Sequence, residues 1–435
     1  MKTQHDIAFE PIEVMNRFSD GLLRDHVNYC YSHSPFYRGL FDTVRLKPED
    51  IQGRDDLVKL PVTSKESLEQ RIDDFLCVSP KRIVDVCQTS GTTGVPLNVM
   101  QTQDDLERVG YNEEISFRAA GMSADDRVMI ACTLGRCFMA GLAYFEGVRR
   151  LGAMAIRAGS GNKAILAQSI ALHQPTVIIC VPSQALVMGQ ALMERGVDPA
   201  DTNVRMIICI GEPIRREDLR YSHLGQRLQD MWRCTLIGTY ASTEMATSFT
   251  DCTAGLGGHF HPELIVVEIL DELGNPVEPG QPGEIIVTPL QVTGMPLIRY
   301  CTGDIAVCHI EPCLCGRNSF RLGPIIGRKQ QKLKIRGTTV YPTAIYTVLQ
   351  EYESIKNYYV EVFSDFELSE SLRVTVGVTS PETFNGDILA EKIRGYIRIK
   401  PEVVVTSIAQ VAARTTQEDK RKPVLFFDMR ANACK

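Results

Sequence analysis

The sequence predicts an α/β layer protein that ends in a small α+β domain. Three observations lead there. Between residue 82 and about 240, short β-prone apolar runs alternate with helical segments, the pattern of a largely parallel sheet covered by helices. From about 264 paired strands with tight turns replace that alternation. Near Gly327 a β-α-β-β-α-β order begins, which describes a separate unit of about 100 residues. A chain of 435 residues holds two or three such domains and a substantial core.

Taken in order, the first 80 residues are helical and tightly punctuated. An apolar stripe runs through Glu13–Ser32 and is broken by His33-Ser34-Pro35-Phe36-Tyr37. Leu60-Pro61-Val62-Thr63-Ser64-Lys65-Glu66 then supplies a proline stop and a Ser/Thr cap for another helix. A β-prone run covers Arg82–Cys87. Buried strands follow at Val128–Thr133, Ala153–Arg157, Thr176–Val181, Met206–Ile210 and Thr235–Ile237, with helices such as Lys163–Leu172 and Pro182–Glu194 between them. Leu264–Leu270, the turn Asp271–Asn275 and Gly283–Pro289 read as a hairpin, with a further strand around Ile298–Ile305. The last unit reads as strand Leu333–Ile335, helix Pro342–Gln350, strands Tyr358–Phe363 and Leu372–Val378, helix Gly386–Ile397 and strand Val403–Ile408.

Composition excludes several classes. Hydrophobic content of 44% and charged content of 23% are ordinary for a soluble globular chain. A net charge of −6 without basic runs argues against a nucleic-acid partner. No apolar run is long enough to cross a membrane and the N-terminus lacks the core of an export signal, so a cytoplasmic protein is expected. Most of the 14 cysteines, Cys180, Cys209 and Cys234 among them, sit in apolar β-like runs and read as small buried hydrophobes.

Chemistry concentrates in a few segments. Thr89-Ser90-Gly91-Thr92-Thr93-Gly94-Val95-Pro96 follows a strand with hydroxyls and glycines, the makings of a phosphate cradle in which backbone N–H groups and hydroxyls donate to anionic oxygens. It is not a Walker loop, because no lysine follows Gly94. Tyr240-Ala241-Ser242-Thr243-Glu244 follows a buried strand, so Glu244 reaches the carboxyl end of a sheet as a Mg²⁺ ligand or, alternatively, as part of a helix cap. Arg299-Tyr300-Cys301-Thr302-Gly303-Asp304 places an acid after a tight turn, suited to ribose hydroxyls. Cys209-Ile210-Gly211-Glu212-Pro213 offers a glycine on which a flat base can lie.

These segments, in this order, resemble those of the acyl-adenylate-forming ligases, and within them the phenylacetate–CoA ligase family. The likeness extends to Ser34-Pro35-Phe36-Tyr37-Arg38, Leu60–Lys65, Thr302-Gly303-Asp304, Gly327-Arg328 and Leu333-Lys334-Ile335-Arg336-Gly337, and so covers nearly the whole chain. It implies a large N-terminal adenylate-forming domain (1–328) of mixed and parallel sheets and a small mobile C-terminal α+β domain (329–435). Ser90, Gly91, Thr93 and Gly94 would hold the ATP phosphates, and Gly211, Glu212, Pro213 and Tyr240, with Ala241, Ser242 and Thr243 beside it, would frame the adenine. Asp304 and Arg328 would bind ribose, while Thr92 and Glu244 would help place Mg²⁺.

The family also implies a lysine that bridges the carboxylate and the α-phosphate. Counting back from Asp428-Met429-Arg430 lands on Lys422, favoured over Lys420. The acid–thiol reaction would use ATP, Mg²⁺ and CoA on a small carboxylic acid, and a homodimer is compatible with the sequence. Phe138, Gly141 and Tyr144 fall where the family lines its acyl pocket. Two departures touch the second half-reaction: Gln330 stands at the hinge, and Tyr346 stands where the family has Glu. An enzyme that hands its acyl group to a carrier protein, or a non-catalytic nucleotide binder, are the rivals.

Four cysteine and histidine positions stand apart. Cys252, His259, Cys313 and Cys315 make three thiolates and one imidazole, a closed tetrahedral set for a structural Zn²⁺. Some relatives in the resembled family carry a similar set. Cys308, His261 and His309 are the substitutes.

Overall fold

The computed structural model describes residues 1–2, 7–89, 97–335, 338–364, 370–416 and 423–430. The chain divides into two compact units, one built from residues 1–89 and 97–325 and the other beginning at Ile326.

The first unit opens on α1 (Ile12–His33) and α2 (Pro35–Val44). Ser34 ends one helix and begins the next: its hydroxyl accepts from the Tyr37 N–H, and Pro35 occupies the first helical position, where a missing N–H costs nothing. The short α3 (Lys65–Gln70) is capped by Ser64 in the same way. β1 (Ile83–Gln88) and β2 (Asn98–Thr102) form an antiparallel hairpin closed by Thr89 and Leu97, which exchange hydrogen bonds at 3.0 Å. The hydroxyl-rich segment Ser90–Pro96 joins its two arms and lies outside the described residues.

After α4 (Gln103–Ala119), strands and helices alternate: β3 (Arg127–Ile130), α5 (Met139–Leu151), β4 (Met154–Arg157), α6 (Lys163–His173), β5 (Val177–Cys180), α7 (Pro182–Met193), β6 (Met206–Ile210), α8 (His223–Trp232), β7 (Thr235–Ser242) and β8 (Thr247–Thr250). They make a six-stranded sheet in the order β4-β3-β5-β6-β7-β8, parallel except for the antiparallel β8 at its edge. Period-two alternation supplies both faces. Ile178 and Cys180 pack with α6, α7 and α8, whereas Val177 and Ile179 pack with α4 and α5. Cys180, Cys209 and Cys234 are buried there, as apolar residues would be.

A second, antiparallel sheet contains β9 (Gly258–His259), β10 (Ile265–Leu270), β11 (Pro282–Pro289), β12 (Tyr300–His309) and β13 (Arg321–Leu322), ordered β10-β11-β12-β13-β9. The hairpin expected around Asp271–Asn275 joins β10 to β11, with the Asp271 carboxylate accepting from the Leu273 and Asn275 N–H groups at 2.8 and 2.9 Å. β12 begins two residues later than the pattern suggests. Ile298 is tied to Tyr37, whose hydroxyl accepts from the Ile298 N–H at 2.7 Å, and Arg299 has φ 49°. Thr63 threads between them: its hydroxyl donates to the Ile298 carbonyl at 2.7 Å, and its backbone exchanges hydrogen bonds with Arg299 and Cys301 at 2.8 and 2.9 Å. Three separated motifs thus form one scaffold that fixes the start of β12.

The second unit contains β14 (Gly327–Arg328), β15 (Leu333–Ile335), β16 (Thr338–Val340), α9 (Pro342–Leu349), β17 (Ile355–Ser364), β18 (Glu370–Val378), α10 (Gly386–Ile397), β19 (Glu402–Ser407), α11 (Ile408–Thr415) and β20 (Phe426–Asp428). A four-stranded sheet, β19-β18-β17-β20, carries α9 and α10 through a core of Ile345, Val348, Leu349, Leu389 and Ile393. The helix α11 is not legible as part of the expected run Val403–Ile408. Ser407 caps it, accepting from the Gln410 N–H, so the chain turns helical where the apolar run suggests strand. Among the described residues no helix is long and apolar enough to cross a membrane.

Candidate active site and metal cluster

β7 and β12 bring two motifs of the first unit together. The Tyr240 hydroxyl donates to Asp304 Oδ2 at 2.8 Å. Burial first, and the Asp304 charge second, hold the Tyr240 phenol well above its usual range, so it remains a donor at any working pH. Asp304 does not follow a turn between elements, as the sequence pattern suggests. It sits in a bulge of β12: Cys301 pairs with Ile286 and Ile305 with Glu284, so Thr302, Gly303 and Asp304 together oppose Ile285 alone. Gly303 takes φ 73°, which an L side chain rarely adopts, and Thr302 anchors the bulge by donating to the Ile285 carbonyl at 2.8 Å and accepting from the Asp304 N–H at 3.1 Å.

The segment Ala241–Glu244 leads into β8 rather than a helix, which removes the helix-cap alternative. Ser242 accepts from the Met245 N–H at 3.3 Å, and Thr243 closes the turn through the Ala246 N–H at 3.3 Å. The Glu244 carboxylate accepts from the hydroxyl of Tyr300, a residue the motif contained but whose role the sequence did not signal. At the end of β6, Gly211 has φ 74° and lies exposed ahead of Pro213. The Glu212 side chain turns away to α7, accepting from the Ser183 N–H and hydroxyl at 2.9 Å each. What Gly211-Glu212-Pro213 offers a ligand is therefore backbone.

Phe138, partly buried, stands at the N-cap of α5, which carries Tyr144 in the apolar layer under β3, β5 and β6. Gly141 has a packing reason. A Cβ there would stand 2.1 Å from the Thr133 carbonyl oxygen and 2.9 Å from Leu134 Cα. It lets the helix approach the end of β3. Arg136 and Cys137 precede the helix with φ 60° and 52°, and the Cys137 carbonyl accepts from the Gln88 N–H at 2.8 Å.

Cys252, His259, Cys313 and Cys315 converge, with their four ligand atoms within 4.8 Å of one another. Cys252 follows β8, His259 is on β9, and the other two lie in the β12–β13 connection. The sulfurs of Cys252 and Cys313 are 3.6 Å apart, and Cys315 Sγ is 3.3 Å from His259 Nε2. Zn–S bonds of about 2.3 Å and a Zn–N bond of about 2.0 Å on a tetrahedron need separations of roughly 3.5–3.8 Å, so the donor set fits. His259 Nδ1 is 3.1 Å from both the carbonyl and the hydroxyl of Ser319, which orients the ring and leaves Nε2 toward the sulfurs. Each cysteine loop is closed by a glycine three residues on: Gly255 N–H to Cys252 and Gly316 N–H to Cys313, with φ 62° and 83°. Buried Arg321 ties the loops together through the Leu256 and Glu311 carbonyls at 2.6 and 2.8 Å. His261 lies elsewhere, 3.1 Å from the Ser116 hydroxyl.

In the second unit Lys329–Gln331 forms one 3₁₀ turn after Arg328. Tyr346 is accommodated within the unit: its hydroxyl donates to the Leu425 carbonyl at 3.2 Å, the same oxygen that accepts from the Val360 N–H at 2.8 Å. The Asp-x-Arg ending is an internal ion pair of Asp428 with Arg430 at the end of β20. Ser90, Gly91, Thr92, Thr93, Gly94, Lys420 and Lys422 lie outside the described residues.

Comparison with known proteins places this architecture. Residues 43–295 match the family model for AMP-binding enzymes, so the chain is a member of the AMP-binding enzyme family. It is 29% identical to a phenylacetate-coenzyme A ligase of Thermus thermophilus over 90% of this chain and 88% of the relative. It is 31% identical to the phenylacetate-coenzyme A ligase of Pseudomonas putida over 79% of each. Within the AMP-binding enzymes the chain belongs to the phenylacetate–CoA ligase family. The solved structure of 2-hydroxyisobutyryl-CoA ligase in its postadenylation state shares the fold, with a TM-score of 0.84 and 20% identity over 97% of this chain and 91% of that one.

Proposed function

We propose that this protein is an ATP-dependent acid–CoA ligase that works through an acyl-adenylate, with an arylacetate or related aryl acid as substrate. A carboxylate oxygen attacks the α-phosphorus of ATP and pyrophosphate leaves; the CoA thiol sulfur then attacks the acyl carbon and AMP leaves. The observation that carries the reading is the Tyr240–Asp304 pair, an oriented carboxylate on the β12 bulge beside the carboxyl end of β7, where it would bind a ribose. Gly211 and Pro213 would give the adenine a backbone surface, and the Tyr240 ring its edge. Ser90–Gly94 would hold phosphates, and Phe138 and Tyr144 would line the acyl pocket.

A carboxylate approaching a triphosphate meets like charge, so preorganised positive groups decide the rate. Mg²⁺ held by Glu244 and Thr92 would supply part of that field. Lys422 would supply the rest, bridging carboxylate and α-phosphate; the second unit would move to bring it in and to admit CoA. Cys252, His259, Cys313 and Cys315 would hold a structural Zn²⁺ with no position open to substrate.

The test is acid-dependent ATP–pyrophosphate exchange on a panel of aryl and short aliphatic acids, with and without CoA. Exchange with an arylacetate, and thioester only when CoA is present, is expected. Lys422→Ala should lower exchange by about 10²–10³-fold, the scale of losing one preorganised charge, while Lys420→Ala keeps it. Exchange without thioester points to another acceptor, and exchange with no acid overturns the reading.

A further inference from the structure

The segment after β6 and the segment after β8 meet at one carboxylate. Asp251 Oδ2 accepts from the Gly238 N–H of β7 at 3.0 Å and from Arg215 Nε at 3.2 Å. The Gly257 N–H, in the loop between β8 and β9, also donates to this carboxylate. Asp251 returns a bond through its own N–H, which donates to the Gly238 carbonyl at 2.9 Å. Its side chain is 6% exposed and that of Arg215 13%, so solvent screens the pair little.

Arg215 is held on its other sides as well. Nη1 donates to the Leu219 carbonyl at 3.1 Å, and the guanidinium carbon lies 4.6 Å from the centroid of the Tyr221 ring. Gly255 of the β8–β9 loop presses on it, since a Cβ there would stand 2.4 Å from Nη2. A planar fork with a partner on each side fixes the backbone that carries it. That backbone lies two residues beyond Pro213, and Gly238 lies two residues before Tyr240. β6 and β7 pair as far as Ile210 and Thr239, and beyond that point the ladder no longer sets their spacing. The Glu212–Ser183 bonds tie the departing loop to α7; the Arg215–Asp251–Gly238 bonds tie it back to β7.

We propose that Arg215 and Asp251 are positioning residues for the nucleotide base, holding the Gly211–Pro213 backbone at a fixed distance from the Tyr240 ring; this rests on the nucleotide site of the acyl-adenylate reading above. Neither side chain is assigned a contact with the base. They act through the two surfaces between which a flat ring would lie, each of them two residues from a group bonded to the same oxygen. Gly211 and Pro213 are themselves exposed, so their place is set by what lies behind them. A loop held before binding need not be ordered by the ligand, so its loosening weakens affinity for the nucleotide and leaves the acid untouched.

The test measures the Kd for AMP by titration calorimetry, well below the melting temperature, and KM for ATP and for the acid in the exchange assay. Arg215→Met and Asp251→Ala should each raise the Kd for AMP and KM for ATP about tenfold, with KM for the acid within about twofold of the unmodified protein. Arg215→Lys keeps the charge but loses the fork and should still cost about threefold; it decides the matter if the other two do not fold. Arg205→Met is the control. It breaks a pair at the other end of β6, where Arg205 donates to Asp126 at 3.0 and 2.5 Å, and should leave the Kd for AMP within about twofold. A pair with a structural role alone would lower the melting temperature and leave AMP affinity unmoved. Unaltered affinity in the folded Arg215 or Asp251 variants, or an equal loss in Arg205→Met, overturns the assignment alone. An unmodified protein that binds no AMP overturns the nucleotide site, and this assignment with it.

Discussion

Removing one cluster ligand tests the metal assignment most directly. Cys313→Ala takes away a buried thiol 3.6 Å from Cys252 Sγ and leaves three of the four donors. The link it breaks joins positions 61 apart in sequence. A cross-link closing a loop of that length restricts the unfolded chain by about 4 kcal/mol on the chain-entropy estimate, a lower bound where metal–ligand bonds add their own energy. A unit built from residues 1–89 and 97–325 shifts its melting point by only about 1.5 °C per kcal/mol, so a fall of about 6 °C or more is expected. The assay is elemental analysis of the purified protein with thermal melts of the unmodified chain, the variant and the chelator-treated protein. About one zinc per chain is expected, falling below about a tenth in the variant. An unmodified protein that stays metal-free after incubation with zinc, or a variant that melts within about 2 °C of it, would refute the reasoning.

Other perturbations probe the site and its support. Tyr240→Phe removes a hydrogen bond to a carboxylate, worth about 1.5–3 kcal/mol, and should raise KM for ATP in the exchange assay by roughly 10–100-fold. An unchanged KM would detach the pair from nucleotide binding. Gly141→Ala forces a Cβ to 2.1 Å from backbone that cannot yield cheaply; urea unfolding should show a loss of at least about 1–3 kcal/mol, with a raised KM for the acid because α5 shifts. Glu263, which accepts from the Tyr111 hydroxyl at 3.1 Å, is lifted by burial from an ordinary 4.5 to about 7. The folded state therefore holds its proton longer than the unfolded state, and stability present below about 4.5 is lost as pH rises through 7. The loss is on the order of 3 kcal/mol. Urea unfolding across that window should show a flatter profile for Glu263→Gln, and equal slopes would contradict the sign.

Much of the parallel sheet was legible because buried strands such as Met206–Ile210 carry continuous apolar runs between helices with clear caps. The convergence of Cys252, His259, Cys313 and Cys315 was legible too, since three cysteines and a histidine stand together in short loops of the sequence. Elements decided by tertiary contact were not. The β12 bulge depends on Thr302 reaching Ile285 across the sheet, and nothing local in Thr302-Gly303-Asp304 separates a bulge from a turn. The packing demand on Gly141 depends on the Thr133 carbonyl behind it, which no local pattern reveals. Glu113 sits among residues with the charge of an exposed helix face, and only the close approach at Gly147 puts it inside. Helix α11 escaped because its cap, Ser407, is also the end of a good strand.

The bulge in β12 has a consequence for how this chain can change over generations. On one side of it Tyr300 pairs with Val287, and on the other Ala306 pairs with Gly283, so the ladder continues past three residues as if one stood there. Removing two of the three would restore a regular strand with every inward side chain still inward, because the side-chain repeat is two. The sheet has nothing to lose by such a deletion; only the carboxylate held toward Tyr240 would go. Architecture and chemistry are thus separately heritable here, and a lineage could discard the reaction in one step while keeping the body that once performed it.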